Sequence, residues 1–126
     1  MTKPTRDPAI RVLMLPRDTN SNGTIFGGII LSHVDQAGAV AAMKHGCHRV
    51  VTVALDKVEF HEPVFVGELV SFYADVIKVG RTSITVRVEV EAERRETGDN
   101  VSVTSADLTF VNIDVEGKPV AIPTAD

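Results

Sequence analysis

From Thr82 to Glu93 the chain reads "TSITVRVEVEAE", with Ile84, Val86, Val88 and Val90 pointing one way and Thr85, Arg87, Glu89 and Glu91 the other. Such a strand has one dry face and one wet face, so an apolar layer must cover it. Three further segments are long enough to join it in a sheet. "RVVTVALDKVEF" (49–60) is rich in β-branched residues, "LVSFYADVIKV" (69–79) puts Val70, Phe72, Ala74 and Val76 on one face, and "VSVTSADLTFVNIDV" (101–115) returns as another strand. "AIRVLML" adds a short strand near the N-terminus. The cover can come only from the stretch between about Ile25 and Gly46, which reads as a helix roughly 30 Å long. One long helix lying across a meander of about four long strands is an α+β fold.

The punctuation fits this division. "RDTNSNG" (17–23) is dense in turn formers, Thr24 is placed to cap the helix, and Gly46 is placed to stop it. "HEPVFVGE", a "GR" turn, "RRETGDN" and "EGKP" separate or end the strands. Residues 1–8 read as a loose arm and 124–126 as a loose tail of a single domain spanning 1–126.

Charge and cysteine content narrow the function. Thirteen Lys and Arg against 17 Asp and Glu give a net charge of −4, so no global field draws in nucleic acid or an anionic membrane. The single cysteine excludes an internal disulfide framework. His45, Cys47 and His48 have the spacing of a helix end and not of a zinc site, so no metal is expected. "MTKPTRDPAIRV" lacks the apolar core of a signal peptide, which makes the cytoplasm the expected compartment. Ser32, His33, Asp35 and Gln36 interrupt the apolar run from Ile25 to Met43 and argue for a core helix over a membrane span.

Asp35 is the residue that patterning leaves open. On a helix it shares a face with Leu31, Gly38, Ala39 and, near the edge, Ala42, and no Lys or Arg lies within a turn of it. One reading is an exposed aspartate on an otherwise buried helix; the other is a carboxylate set among small residues to move a proton. Upstream, Asn22–Gly23 is an ordinary turn pair, whereas Asn20 has no such conformational reason. Gly27 and Gly28 fall in the first helical turn, where free N–H groups point outward and a ligand could approach the backbone. Together these parts suit attack on a carbonyl: N–H groups and an Asn amide for an oxyanion, a carboxylate to activate water or attack directly. No GxSxG is present and Cys47 has no evident base. His33, two residues from Asp35, points to another face and reads as structural.

"LPRDTNSNGTIFGGIILSHVDQAGAVAA", "VVTVALDKVEFHEPVFVGELV" and "GRTSITVRVEV" resemble, in order and spacing, the hotdog-fold acyl-CoA thioesterases of the broad-specificity cytosolic acyl-CoA hydrolase type, from about Arg11 to Pro123. The shared motif is N-x-x-G-x-x-F-G-G with an Asp fifteen positions after the Asn. The resemblance implies an antiparallel sheet wrapped around a central helix, subunits joined edge to edge as a homodimer that can assemble into a trimer of dimers, and active sites at the dimer interface. It implies an acyl-CoA substrate, a place in fatty acid metabolism, and no cofactor beyond the coenzyme A of the substrate itself. It puts the catalytic Asp on Asp35 and the Asn, from the opposite subunit, on Asn20. The oxyanion N–H falls on Gly27 or Gly28, cleft-lining positions on Thr52 and Val53, and a segment near coenzyme A on Arg81, Thr82 and Ser83. Phe26 stands where some relatives carry His and so removes a polar group from the pocket rim. Lys78, Arg81, Arg94 and Arg95 are the basic residues for phosphate contacts, each equally readable as an ordinary surface charge. Two rivals stand beside this reading: a non-catalytic acyl-CoA sensor on the same fold, and a thioesterase for acyl carrier protein or aryl-CoA.

Overall fold

The computed structural model describes residues 6–123. Strand β1 (Ile10–Leu13) is followed by a short 3-10 turn (Pro16–Asp18), helix α1 (Gly27–His45), and strands β2 (Val50–Phe60), β3 (Leu69–Val79), β4 (Ser83–Glu93) and β5 (Asn100–Asn112). All five strands form one antiparallel sheet in the order β1-β3-β4-β5-β2. The meander therefore holds only for β3, β4 and β5. β2 lies at the far edge against β5 instead of beside β3, which corrects the four-strand expectation. The reason is the connection: residues 61–68 are too many for a tight hairpin and contain Pro63. This segment crosses the end of the sheet, where Val64 O accepts from Ile25 N at 2.8 Å and Gly67 N donates to Met14 O at 2.8 Å.

The strict alternation of β4 becomes a core. Ile84, Val86, Val88 and Val90 are wholly buried beside Val70 and Phe72 of β3 and Leu108 and Phe110 of β5. Helix α1 covers them with Ile30, Val34, Ala37 and Ala42. Gly38 allows the closest approach, since a Cβ there would sit 2.9 Å from the Phe110 ring. The outer face carries ion pairs: Arg87 grips Asp107 at 2.8 and 3.1 Å, and Arg6 reaches Asp75 at 2.6 Å while lying over the Tyr73 ring. The Arg87 guanidinium holds the Asp107 carboxyl below the usual carboxylate range.

The helix begins later than expected. Its N-cap is Phe26, with no side-chain cap, and Thr24 is engaged elsewhere: its hydroxyl accepts from Asn20 Nδ2 at 2.9 Å. At the other end Gly46 does stop the helix, at φ 123°, with its N–H bonded to the last turn. Of the arm expected at 1–8, residues 1–5 lie outside the described residues, as does the tail 124–126; Arg6 is held on the sheet by the contacts above.

Candidate active site

The turn before α1 is organised by Asn20. Its Oδ1 accepts from Asn22 N at 2.8 Å and Thr24 N at 3.2 Å, and its backbone N donates to Thr24 O at 2.8 Å. This corrects the view that Asn20 lacks a conformational role: an Asx-type network on one side chain shapes the whole loop. One of the two Nδ2 hydrogens is used on Thr24, leaving the other for a further acceptor.

The turn delivers the chain into the glycine pair, which is flanked by two half-exposed rings. A Cβ on Gly28 would meet Phe26 Cε2 at 2.5 Å, and one on Gly27 would meet Phe60 Cζ at 3.6 Å. The missing Cβ of Gly28 thus lets the Phe26 ring lie against the first turn of the helix, while Phe60 stands at ordinary contact distance from Gly27. Ile29 N of this turn donates to Phe26 O at 3.0 Å, which leaves the Gly27 and Gly28 N–H groups without a helical acceptor, and the helix dipole makes them attractive to developing negative charge. Beside Gly27 lies a cleft of about 320 Å³ walled by Ile25, Ile30, Phe60, Val64 and Val103.

Asp35 is half-buried on α1, and its Oδ1 accepts a hydrogen bond from Thr52 Oγ1 at 2.5 Å. Among the described residues no cation pairs with it. Thr52 reaches the helix because it stands on the inner side of β2, opposite buried Phe110. Val53 follows it as the extra residue of a bulge, since Thr52 pairs with Phe110 and Ala54 with Thr109. Bulges re-aim side chains, and Val53 is left 56% exposed beside the Asp35–Thr52 pair.

These groups do not all converge within one chain. Gly28 and Asp35 are separated along α1 by about 10 Å at 1.5 Å per residue, too far for both to touch one carbonyl. Arg81 and Thr82 form the β3–β4 turn at the opposite end of the helix, and Ser83 opens β4. Arg81 there shares a hollow of about 440 Å³ with His45, and the Arg81 and Thr82 carbonyls accept from Ile122 N and Asn112 N. Of the four candidate phosphate contacts, Arg94 is committed to buried Glu68 at 2.8 Å and to Pro63 O, whereas Lys78 and Arg81 are exposed on the surface. Arg95 lies against Gly67. His33 bonds Ile29 O through Nδ1 at 2.9 Å and stacks on Phe72, a structural use. Cys47 is buried, which pushes its thiol up. Among the described residues no cluster of His, Cys, Asp or Glu could hold a metal ion, and no helix is long and apolar enough to cross a membrane.

A helix wrapped by a five-stranded antiparallel sheet, with a carboxylate at mid-helix and a glycine pair at its start, is a hotdog fold. Residues 22–98 match the Thioesterase superfamily, and the chain belongs to that family. It is 42% identical over 120 residues to an uncharacterized acyl-CoA thioester hydrolase of Zymomonas mobilis, covering 95% of this chain and 80% of the relative. Among solved structures it resembles a hexameric hotdog-fold thioesterase of Campylobacter jejuni, with TM-score 0.90, 45% identity and coverage of 94% and 91%. It is also similar to a hexameric broad-specificity acyl-coenzyme A thioesterase, solved as an aspartate-to-alanine variant, with TM-score 0.90, 40% identity and coverage of 94% and 88%.

Two features escaped sequence reasoning: the cleft beside Gly27, and Thr52 as the partner of Asp35. Both depend on which side of β2 a residue faces, and the bulges in that strand break the alternation that would have told.

Proposed function

We propose that this protein hydrolyses acyl-CoA thioesters to a free carboxylic acid and coenzyme A. The observation that carries this reading is Asp35, a half-buried carboxylate with no paired cation among the described residues, fixed by Thr52 at 2.5 Å on the central helix of a thioesterase-superfamily chain. In the general-base form, water attacks the thioester carbon while Asp35 takes its proton. The C–S bond then breaks, and the proton passes to the departing thiolate. An oxyanion builds up on the carbonyl oxygen and needs donors.

Those donors come from a second copy. Since one helix cannot bring Gly28 and Asp35 to the same carbonyl, the glycine-pair N–H groups and the Asn20 amide of the partner subunit would meet Asp35 of the first. The β2 edge favours such a pairing. It is 11 residues long, and Val51, Val53 and Leu55 are all more than 40% exposed along it, an edge that a second copy would cover. A homodimer is the minimum, and the hexameric relatives favour a trimer of dimers. The reaction as written draws on no cofactor, and the cytoplasm, where acyl-CoA is met, is its natural compartment.

The test is release of free thiol from an acyl-CoA panel. Asp35→Ala should lose nearly all of it, and full activity in that variant would sink the assignment. Asn20→Ala should lower kcat by about 10²-fold, the scale of a lost oxyanion donor. Because Asn20 also holds its turn, the melting temperature must be read alongside. Acyl-CoA that binds but is never cleaved would favour the sensor; faster turnover of carrier-bound or aryl thioesters would favour the other rival.

A further inference from the structure

We propose that Glu68 and Arg94 are positioning residues for the glycine pair, holding in place, through Val64 and Ile25, the N–H groups that receive the oxyanion. This rests on the thioester-hydrolase reading above and adds two residues that act on its site without touching the substrate. Glu68 is 3% exposed, and a carboxylate so deeply buried must be paired. Its partner is Arg94, whose side chain is 20% exposed. The two stand just beyond Leu69 and Glu93, the register pair that ends the β3–β4 ladder on this side.

The contacts of the pair converge on one short piece of the β2–β3 connection. Arg94 Nη1 donates to Glu68 Oε1 at 2.8 Å, to Oε2 at 3.0 Å and to Pro63 O at 3.0 Å, and the guanidinium lies over the Phe65 ring at 5.1 Å. Glu68 Oε1 also accepts from Phe65 N at 2.9 Å. The pair thus grips the carbonyl before Val64 and the N–H after it. Between these two grips the Val64 carbonyl accepts from Ile25 N at 2.8 Å, two residues ahead of Gly27. Residues 61–68 belong to no helix or strand, so no ladder sets the direction of that carbonyl. A buried ion pair adds little net stability over apolar side chains of the same volume. Apolar side chains, however, cannot bond the Pro63 carbonyl or the Phe65 N–H. The pair therefore supplies direction more than stability, and the direction it sets passes through Ile25 to the Gly27 and Gly28 N–H groups, whose alignment with a developing oxyanion governs the rate steeply.

The test compares thiol release from acyl-CoA by wild type and by Glu68→Met/Arg94→Met. The double variant removes both buried charges together, so its melting temperature should stay near that of wild type. Its kcat should fall on the order of tenfold, less than for an absent oxyanion donor, with KM within about twofold. Arg94→Lys should keep most of the rate, because one ammonium can make the bonds that Nη1 makes. Amide exchange supplies a readout that a purely structural role would not move: Ile25 N–H should exchange about tenfold faster in the double variant, with Val86 and Val88 N–H unchanged. A wild-type kcat in the double variant, a rise in KM alone, or faster exchange spread equally over the core amides each overturns the positioning role. Should the double variant fail to fold, Glu68→Gln keeps the shape but sets an amide NH2 against Arg94. It should lower kcat about threefold at unchanged KM, and a wild-type kcat there overturns the proposal. If wild type cleaves no acyl-CoA, the functional reading falls and this inference with it; each overturning outcome above leaves that reading standing.

Discussion

Strands β4 and β2 are both 11 residues long and belong to the same sheet, yet they are built in opposite ways. β4 alternates without a flaw over its apolar positions, and its inner side chains are completely buried. β2 breaks register twice, between Thr52 and Ala54 and between Asp56 and Glu59, holds Lys57 at φ 57°, and leaves Val53 and Phe60 about half exposed. The regular strand serves stability, and the irregular one borders the catalytic carboxylate candidate and the glycine pair: Thr52 on Asp35, Val53 beside it, Phe60 against Gly27. A strand that must aim particular side chains at a helix and offer an edge to a second copy cannot also keep a perfect period.

The contrast breaks most visibly in the regular half. Phe110 is 1% exposed and packs into the space left by Gly38, so Phe110→Ala should cost about 3–5 kcal/mol. Thermal unfolding should show a drop on the order of 10 °C for a domain of this size. A change under about 1 kcal/mol would mean that the centre of the sheet is looser than its burial implies. On the β2 side the expected result is the reverse, a loss of activity without a loss of stability. Thr52→Val keeps the shape of an exposed residue and removes the donor to Asp35. It should lower kcat about tenfold through lost orientation of the carboxylate, with the melting temperature unchanged and Thr52→Ser restoring the rate. An equal fall in stability would assign Thr52 to the scaffold instead.

The same contrast explains what could be read in advance. The faces of β3 and β4 were legible from alternation, and the helix from its small apolar residues and Gly46, because local periodicity and burial coincide there. The place of β2 in the sheet was not legible, since strand pairing is set by the eight-residue connection and by packing, neither of which leaves a periodic trace. Thr24 looked like a cap by composition and was claimed by Asn20, a competition between two local hydrogen-bonding schemes that sequence alone does not decide. Periodicity leaves Asp35 even between surface and site; the lack of a cation within a turn, the small residues beside it and the upstream Asn-turn-Gly-Gly tilt it toward a site, and the resemblance supplies the reaction. The structure added its half-burial and the Thr52 contact, and showed that the glycine pair lies too far along the same helix to join it.

The outer face offers a smaller effect, dependent on pH. Asp107 is paired to Arg87 by two hydrogen bonds, which depresses the carboxyl in the folded state. A depressed carboxyl contributes stability above its unfolded value near 3.9 and loses it as pH falls through the folded value. Wild type should therefore lose more stability between pH 5 and pH 2.5 than Asp107→Asn, by about 1 kcal/mol, since Arg87 is half in solvent. Parallel acid-unfolding curves for the two proteins would remove Asp107 from the stability of the sheet.

The finest test of the irregular strand is Lys57, the non-glycine residue held at positive φ among the described residues. A left-handed conformation costs a residue with a Cβ roughly 1–2 kcal/mol, whereas glycine accepts it but loses about 0.5–1 kcal/mol more entropy on folding. The Lys57 ammonium lies 3.7 Å from Asp107 with the side chain 76% exposed, so losing that pair matters little. Lys57→Gly should thus gain about 0.5 kcal/mol. Lys57→Val, which would favour an ordinary strand position, should lose a similar amount because its branched Cβ fits the bulge worst. If Val proves the stabilising substitution, β2 relaxes to a regular strand in solution. Its inner and outer sides would then shift by one residue, carrying Phe60 off the helix side.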